Sequence, residues 1–238
     1  MTSEADEPPR FFAAKRLARR AAAAPLFLSL DALALVYRSD KRTAHGFLPH
    51  YRRHLGPRRF SVRRVLEIGV GGYDDPYAGL ASLRMWRTFF PRAHLFGLDV
   101  NEKAVGREPR ITVVRGSQAD AGTLDRLLEL AGGAFDLVID DGSHVNEHVR
   151  FTFEHLFPHV TPGGLYVIED VETAYLEREG GGAPGVPGTS VALAKDLVDG
   201  VNREYVSADW RPSPVQELVS ALHFYPNIVF VERAPERG

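Results

Sequence analysis

Val65-Leu66-Glu67-Ile68-Gly69-Val70-Gly71-Gly72 is the stretch that decides the fold. A short run of Val, Leu and Ile, nearly continuous, reads as a strand buried on both faces. The glycines that follow let the backbone turn sharply and approach a ligand without a Cβ in the way. Outward from this stretch the same kind of run recurs at His94 to Val100, Ile111 to Val114, Phe135 to Asp140 and Gly164 to Asp170. Helical patterns lie between them. Gly79 to Phe90 is stopped by Pro91, Leu124 to Leu130 is closed by Gly132-Gly133, and Val145 to Phe157 ends at Pro158. A further helix is expected from Thr189 to Tyr205. Such alternation predicts a doubly wound α/β sheet. Near the end, two apolar runs, Val215 to Phe224 and Ile228 to Glu232, flank Tyr225-Pro226-Asn227. Strands joined by so short a turn must be antiparallel. The expectation is a mostly parallel, Rossmann-like sheet of seven strands with an antiparallel last strand. Residues 61–238 would form this domain, and residues 1–60 a helical appendage.

Composition narrows the chemistry. The 238 residues include no cysteine, which excludes disulfides, thiolate metal sites and a cysteine nucleophile. With 29 basic and 31 acidic residues, there is no overall positive field for nucleic acid. The acidic start, Met1 to Glu7, is opposite to a basic targeting leader. The apolar run Ala21 to Val36 is interrupted by Pro25 and Asp31, which speaks against a membrane span. A cytoplasmic location is expected, with the N-terminal helices offering a surface for homo-oligomers.

The glycine loop lacks the third glycine of a dinucleotide fingerprint, because Asp74 stands at that position. Glu67-x-Gly69-x-Gly71 instead resembles the first motif of S-adenosylmethionine-dependent methyltransferases. A plain tight turn is the competing reading. Asp99 closes the second run, where a carboxylate can accept bonds from ribose hydroxyls. That contact would serve NAD and S-adenosylmethionine alike.

Acidic groups gather after the fourth and fifth runs, as Asp140-Asp141-Gly142-Ser143-His144 and Ile168-Glu169-Asp170. Parallel neighbours deliver these ends to one edge, so Asp141, Glu169 and Asp170 would converge. Carboxylates packed together need protons, basic partners or a hard divalent ion such as Mg²⁺ or Mn²⁺. The bland alternative is strand-end acids pointing into water. His144 suits proton transfer near neutral pH, or else packs the next helix. Glu177 to Gly188, rich in Gly and Pro, reads equally as a mobile lid and as a plain surface loop.

Together with Ala81-Ser82-Leu83-Arg84-Met85-Trp86 and His223-Phe224-Tyr225, these motifs resemble the metal-dependent sugar O-methyltransferases of natural-product biosynthesis. The segment Ser39-Asp40-Lys41 through His45 to Tyr51 is similar too. The resemblance covers roughly Asp40 to Glu232 and implies a class I methyltransferase fold. It implies Mg²⁺ on Asp141, Glu169 and Asp170, with His144 as general base beside a catalytic Asp141. It implies S-adenosylmethionine held by Glu67, Gly69, Gly71, Asp99, Gln118 and Asp140. The family often has Gly-Asp-Gln where this chain has Gly116-Ser117-Gln118, which leaves Gln118 and Asp120 both open as the adenine contact. The expected acceptor is the hydroxyl of a rhamnose-like deoxysugar on a small glycosylated metabolite. Hydroxylation or cyclisation on the same site is the competing enzyme reading.

Overall fold

The computed structural model describes residues 29–42, 46–104 and 108–236. The acidic start Met1 to Glu7, the beginning of the apolar run from Ala21, and His45 lie outside them. Among the described residues two helices come first, α1 (Leu30–Tyr37) and α2 (Leu48–Leu55), with a short 3-10 turn at Asp40–Arg42 between them. Ser29 starts α1 by accepting a hydrogen bond from the Ala32 backbone, as an N-cap serine does.

From there strand and helix alternate. The elements are β1 (Arg64–Ile68), α3 (Ala81–Phe89), β2 (His94–Asp99), β3 (Ile111–Arg115), α4 (Ala121–Ala131), β4 (Phe135–Asp140), α5 (Asn146–Leu156) and β5 (Val160–Glu169). Then come α6 (Ser190–Val201), α7 (Pro214–Leu218), β6 (Val219–Tyr225) and β7 (Ile228–Arg233). Among the described residues they build a seven-stranded sheet in the order β3-β2-β1-β4-β5-β7-β6. The pairs β1–β2, β1–β4, β2–β3 and β4–β5 are parallel, while β7 runs antiparallel to both β5 and β6. The expected sheet and its antiparallel last strand are therefore observed.

One boundary differs. Val215 to Leu218 is helical, where an extended run is expected from Val215 onward. Pro214 occupies the first turn of α7, and Ser213 and Gln216 form a reciprocal capping box. Those local signals outweigh the apolar run.

Side chains alternate across a strand, so parity decides which layer each residue meets. Val65, Leu137, Ile139, Leu165 and Val167 pack with α1, α2 and α3, around Leu33, Tyr51 and Trp86. Leu66, Ile68, Val138, Tyr166 and Ile168 pack with α4, α5 and α6, around Leu127, Phe153 and Leu197. The result is a three-layer sandwich. By the same parity Glu67 and Glu169 face the layer of α1–α3, and Asp140 faces the other layer. The register aligns Ile68 with Leu98 and Asp140, and Asp140 with Ile168. The C-terminal strand ends thus form one edge. Chain connections leave β1 and β4 in opposite directions there, the switch point where open α/β sheets bind ligands.

Candidate active site

A cavity of about 590 Å³ opens at that edge. The residues along it include Gly69, Gly71, Asp99, Gln118, Asp141, His144 and Asp170. Arg38, Asp40, Ser82 and His148 line it as well; Asp40 and Ser82 fall within the stretches that carry the resemblance, without a role assigned to them. Glu67, Asp140 and Glu169 stand behind the wall instead of along it.

The glycine loop is built by close approach. Gly69 has φ +79°, and a Cβ there would lie 1.9 Å from the Asp141 carbonyl oxygen. Only glycine lets the first loop touch the turn after β4. The Gly69 N–H donates to the Leu98 carbonyl and the Asp141 N–H to the Ile68 carbonyl, at 2.8 and 3.0 Å. Asp99 accepts from the backbone N–H groups of Val70 and Asn101. It therefore fixes the loop while lining the cavity.

Gln118 is a bridge. Its Oε1 accepts from Ser143 N–H at 2.7 Å, and its Nε2 donates to Asp140 Oδ1 at 3.1 Å. Tyr166 Oη also donates to Asp140, at 3.2 Å. Burial pushes the Asp140 carboxyl up to about 6, against the opposing pull of Gln118. Asp120 is the N-cap of α4, accepting from Thr123, and its place is structural.

The acidic residues divide into a dry floor and a wet rim. On the floor, Lys41 reaches Asp141 Oδ2 and Glu169 Oε1, each at 2.7 Å, and Glu67 Oε1 at 3.5 Å. Tyr51 Oη donates to the same Glu169 oxygen. Glu67 further accepts from Ser82 Oγ at 2.7 Å and Trp86 Nε1 at 3.3 Å. The side chains of Lys41, Glu67 and Glu169 are each 1% exposed or less. Burial pushes Glu67 up to about 7 and Glu169 up to about 8, with Lys41 opposing the rise in both. Burial alone would lower Lys41, but Asp141, Glu169 and Glu67 together hold its ammonium well above the usual value. One ammonium thus serves three carboxylates, and the floor keeps a surplus of acid.

On the rim, His144 Nε2 lies 3.6 Å from Asp170 Oδ2 and 3.9 Å from Asp141 Oδ1. The ligand atoms of Asp141, His144 and Asp170 all fall within 4.8 Å of one another. Asp170 anchors its other oxygen by accepting from Asn227 Nδ2 at 3.0 Å. His144 and Asp170 both sit in the left-handed region, at φ 57° and 53°. For residues with a side chain this costs about 1–2 kcal/mol each. Such strain is tolerated where the surroundings dictate a side chain's direction. Of the three acids expected to converge, the structure places Asp141 and Asp170 on this rim with His144. Strand parity sets Glu169 in the layer of α1–α3, where it meets Tyr51, and it still converges with Asp141 through Lys41, whose Nζ is 2.7 Å from an oxygen of each.

The segment Glu177 to Gly188 contributes none of the residues along this cavity. One 3-10 turn, Glu177–Glu179, stands where no regular structure is expected. Asn146 pins the segment from α5: its Nδ2 donates to the Thr173 and Glu179 carbonyls, and its Oδ1 accepts from Ser190 N–H.

Residues 66–171 match the methyltransferase-domain family. The chain is 44% identical over 235 residues to 8-demethyl-8-alpha-L-rhamnosyl tetracenomycin-C 2'-O-methyltransferase of Streptomyces olivaceus, covering 98% of this chain and 62% of that protein. It is 50% identical over 193 residues to mycinamicin VI 2''-O-methyltransferase of Micromonospora griseorubida, covering 79% of this chain and 48% of that one. The solved structure of the MycE methyltransferase in complex with Mg, SAH and mycinamycin VI superposes with a TM-score of 0.81 at 47% identity, covering 87% of this chain and 53% of that chain. The chain therefore spans between about half and three fifths of these relatives' length.

Proposed function

With its class I methyltransferase fold, the chain is a homologue of the sugar O-methyltransferases of macrolide and tetracenomycin biosynthesis, and we propose that it methylates a sugar hydroxyl of a small glycosylated metabolite. S-adenosylmethionine is the proposed methyl donor and Mg²⁺ or Mn²⁺ the proposed ion. The relatives' acceptors favour a deoxysugar of the rhamnose type.

The observation that carries this reading is the cluster of Asp141, Asp170 and His144 on the rim of the glycine-loop cavity. The residues fit both groups. The cavity volume of about 590 Å³ is in the range that encloses small organic ligands. Gly69 brings bare backbone to its wall. Asp141 and Asp170 offer the hard oxygens that divalent ions of this kind prefer, within reach of one another. When bound, the sulfonium compound supplies an electrophilic methyl group, and the ion supplies Lewis acidity toward sugar hydroxyls.

The chain's residues do the rest. Asp141 and Asp170 would hold the ion, each with one oxygen fixed by the protein, through Lys41 and Asn227 respectively. His144 Nε2 accepts the proton that the hydroxyl loses as its oxygen bonds to the methyl carbon. The carbon–sulfur bond breaks with its electron pair going to sulfur, which leaves S-adenosylhomocysteine. Gly69, Leu98, Asp99 and Val100 line the cavity and would orient the donor toward the acceptor oxygen. Alignment of that kind contributes roughly 7–11 kcal/mol toward the barrier.

The test is formation of S-adenosylhomocysteine with a panel of glycosylated acceptors. EDTA is expected to abolish turnover, and His144→Ala to slow it by about 10²–10⁴-fold, the usual share of a general base. Full turnover in EDTA together with full turnover of His144→Ala overturns the mechanism.

A further inference from the structure

Beyond fixing one oxygen of Asp141, Lys41 takes no part in the proposed chemistry. It is one of only four lysines in a chain rich in arginine, and it is sealed, at 1% exposure, beneath the acids. Its place is built, not incidental. The short turn Asp40–Arg42 sets it directly between β1, β4 and β5. The contacts bridge 100 residues to Asp141 and 128 residues to Glu169. An ammonium is a compact point charge and fits among three carboxylates, where a planar guanidinium would need a flat, forked partner.

We infer that Lys41 is a fixed internal cation that sets how tightly the acid cluster takes up a divalent ion. The inference rests on the metal-dependent reading above and concerns this chain's own residues.

Two effects follow from its position. First, Lys41 occupies donors. Asp141 Oδ2 and Glu169 Oε1 accept from Nζ, which leaves Asp141 Oδ1 as the oxygen facing His144. Glu169, set in the α1–α3 layer by parity, has one oxygen occupied by the same ammonium. Second, Lys41 brings a full positive charge into a dry region, where repulsion of a second cation is weakly screened. Both effects loosen the hold on a divalent ion. Removing Lys41 frees two carboxylate oxygens and takes a positive charge away from beside the rim. A lysine that served only to keep the acids in place would act the other way, because its loss would disorder Asp141 and weaken binding. The sign of the change separates the two roles.

The experiment is Mn²⁺ binding to the metal-free protein, followed by electron paramagnetic resonance without methyl donor or acceptor. Lys41→Met and Lys41→Gln are expected to bind Mn²⁺ about tenfold more tightly than the unaltered chain. Tyr51→Phe removes a neutral hydrogen bond to the same Glu169 oxygen and is expected to stay within about twofold. Losing Lys41 strands buried acids, so a second measurement accompanies the first. The rise in melting temperature at saturating Mn²⁺ should be larger in both Lys41 variants than in the unaltered chain. Equal or weaker binding by the two variants, or a smaller rise, overturns the inference. An unaltered chain that takes up no Mn²⁺ overturns the metal reading instead, and the two failures are told apart by which protein fails.

Discussion

Among the described residues, two groups of side chains bring three candidate ligands together, and they differ in the sign of what surrounds them. Asp141, His144 and Asp170 stand on the cavity rim; His54, His223 and Glu232 stand where α2 meets the β6–β7 hairpin. Around the first group lie Glu67 and Glu169, with Lys41 as the cation among them. Around the second, Arg58 pairs with Glu232 at 3.2 Å, Tyr225 shares a hydrogen bond with His54 at 3.0 Å, and His50 stacks on Tyr225. The first group has acid to spare. The second has its acid already answered by arginine, and its histidines face further positive charge. Proximity of ligand atoms is common to both, so charge balance is what distinguishes a place for a cation from a place where α2 is fastened to the sheet.

The strongest test of that contrast is Asp141→Asn, which keeps the shape of the rim and removes one charge. Methyl transfer is expected to fall by about a thousandfold or more, the scale of losing several kcal/mol of metal-assisted stabilisation. A variant with unaltered turnover would erase the distinction between the clusters.

A smaller effect should appear in stability against pH. His54 is lowered to about 4, by burial first and then by His223, Arg53, Arg58 and His50. Its unfolded value is near 6.5. Between those values the unfolded chain binds the extra proton, so the contribution of neutral His54 is complete above about 6.5 and is lost as pH falls toward 4. The acids of the floor work in the opposite direction. Glu67 and Glu169 are raised, so the folded state binds their protons first. Their penalty is present above about 8 and is relieved as pH falls through their folded values. Chemical denaturation of His54→Gln at pH 7.5 and pH 4.5 isolates the first contribution. The variant should lose on the order of 1–2 kcal/mol less than the unaltered chain over that interval, a figure reduced for the partial burial of the ring. An equal loss in both proteins would place His54 outside the acid response.

The smallest effect sharpens the contrast by its near absence. His223→Ala should leave Mn²⁺ affinity within about twofold, measured in the same titration as the Lys41 variants. A clear drop in affinity would move the ion to the hairpin.

Much of this was legible in the sequence. Alternating apolar runs locate the strands, and Tyr225-Pro226-Asn227 marks the antiparallel hairpin. Asp141, His144 and Asp170 follow from parallel strands ending together. Glu67 and Glu169 could have been assigned to one layer by counting parity along β1 and β5. The resemblance marks the segment from Ser39 to Tyr51, but no local pattern places Lys41 and Tyr51 in the site, because Asp141 and Glu169 lie 100 or more residues away. Arg38 and Asp40 reach the cavity wall for the same reason, carried there by the packing of α1 on α3. The helix at Val215 was written locally in Ser213, Pro214 and Gln216, where a run of apolar residues drew the reading toward a strand.

The hairpin turn has a consequence in the order of synthesis. Asn227 donates its side-chain N–H to Asp170 Oδ1, and its own Oδ1 accepts from Glu172 N–H. The strand that follows, β7, inserts between β5 and β6. A ribosome that has released everything through Asp170 has delivered every acid of the site, yet neither the clamp on Asp170 nor the neighbour that covers β5. The clamp on Asp170 can therefore form only once Asn227, in the β6–β7 turn, has emerged.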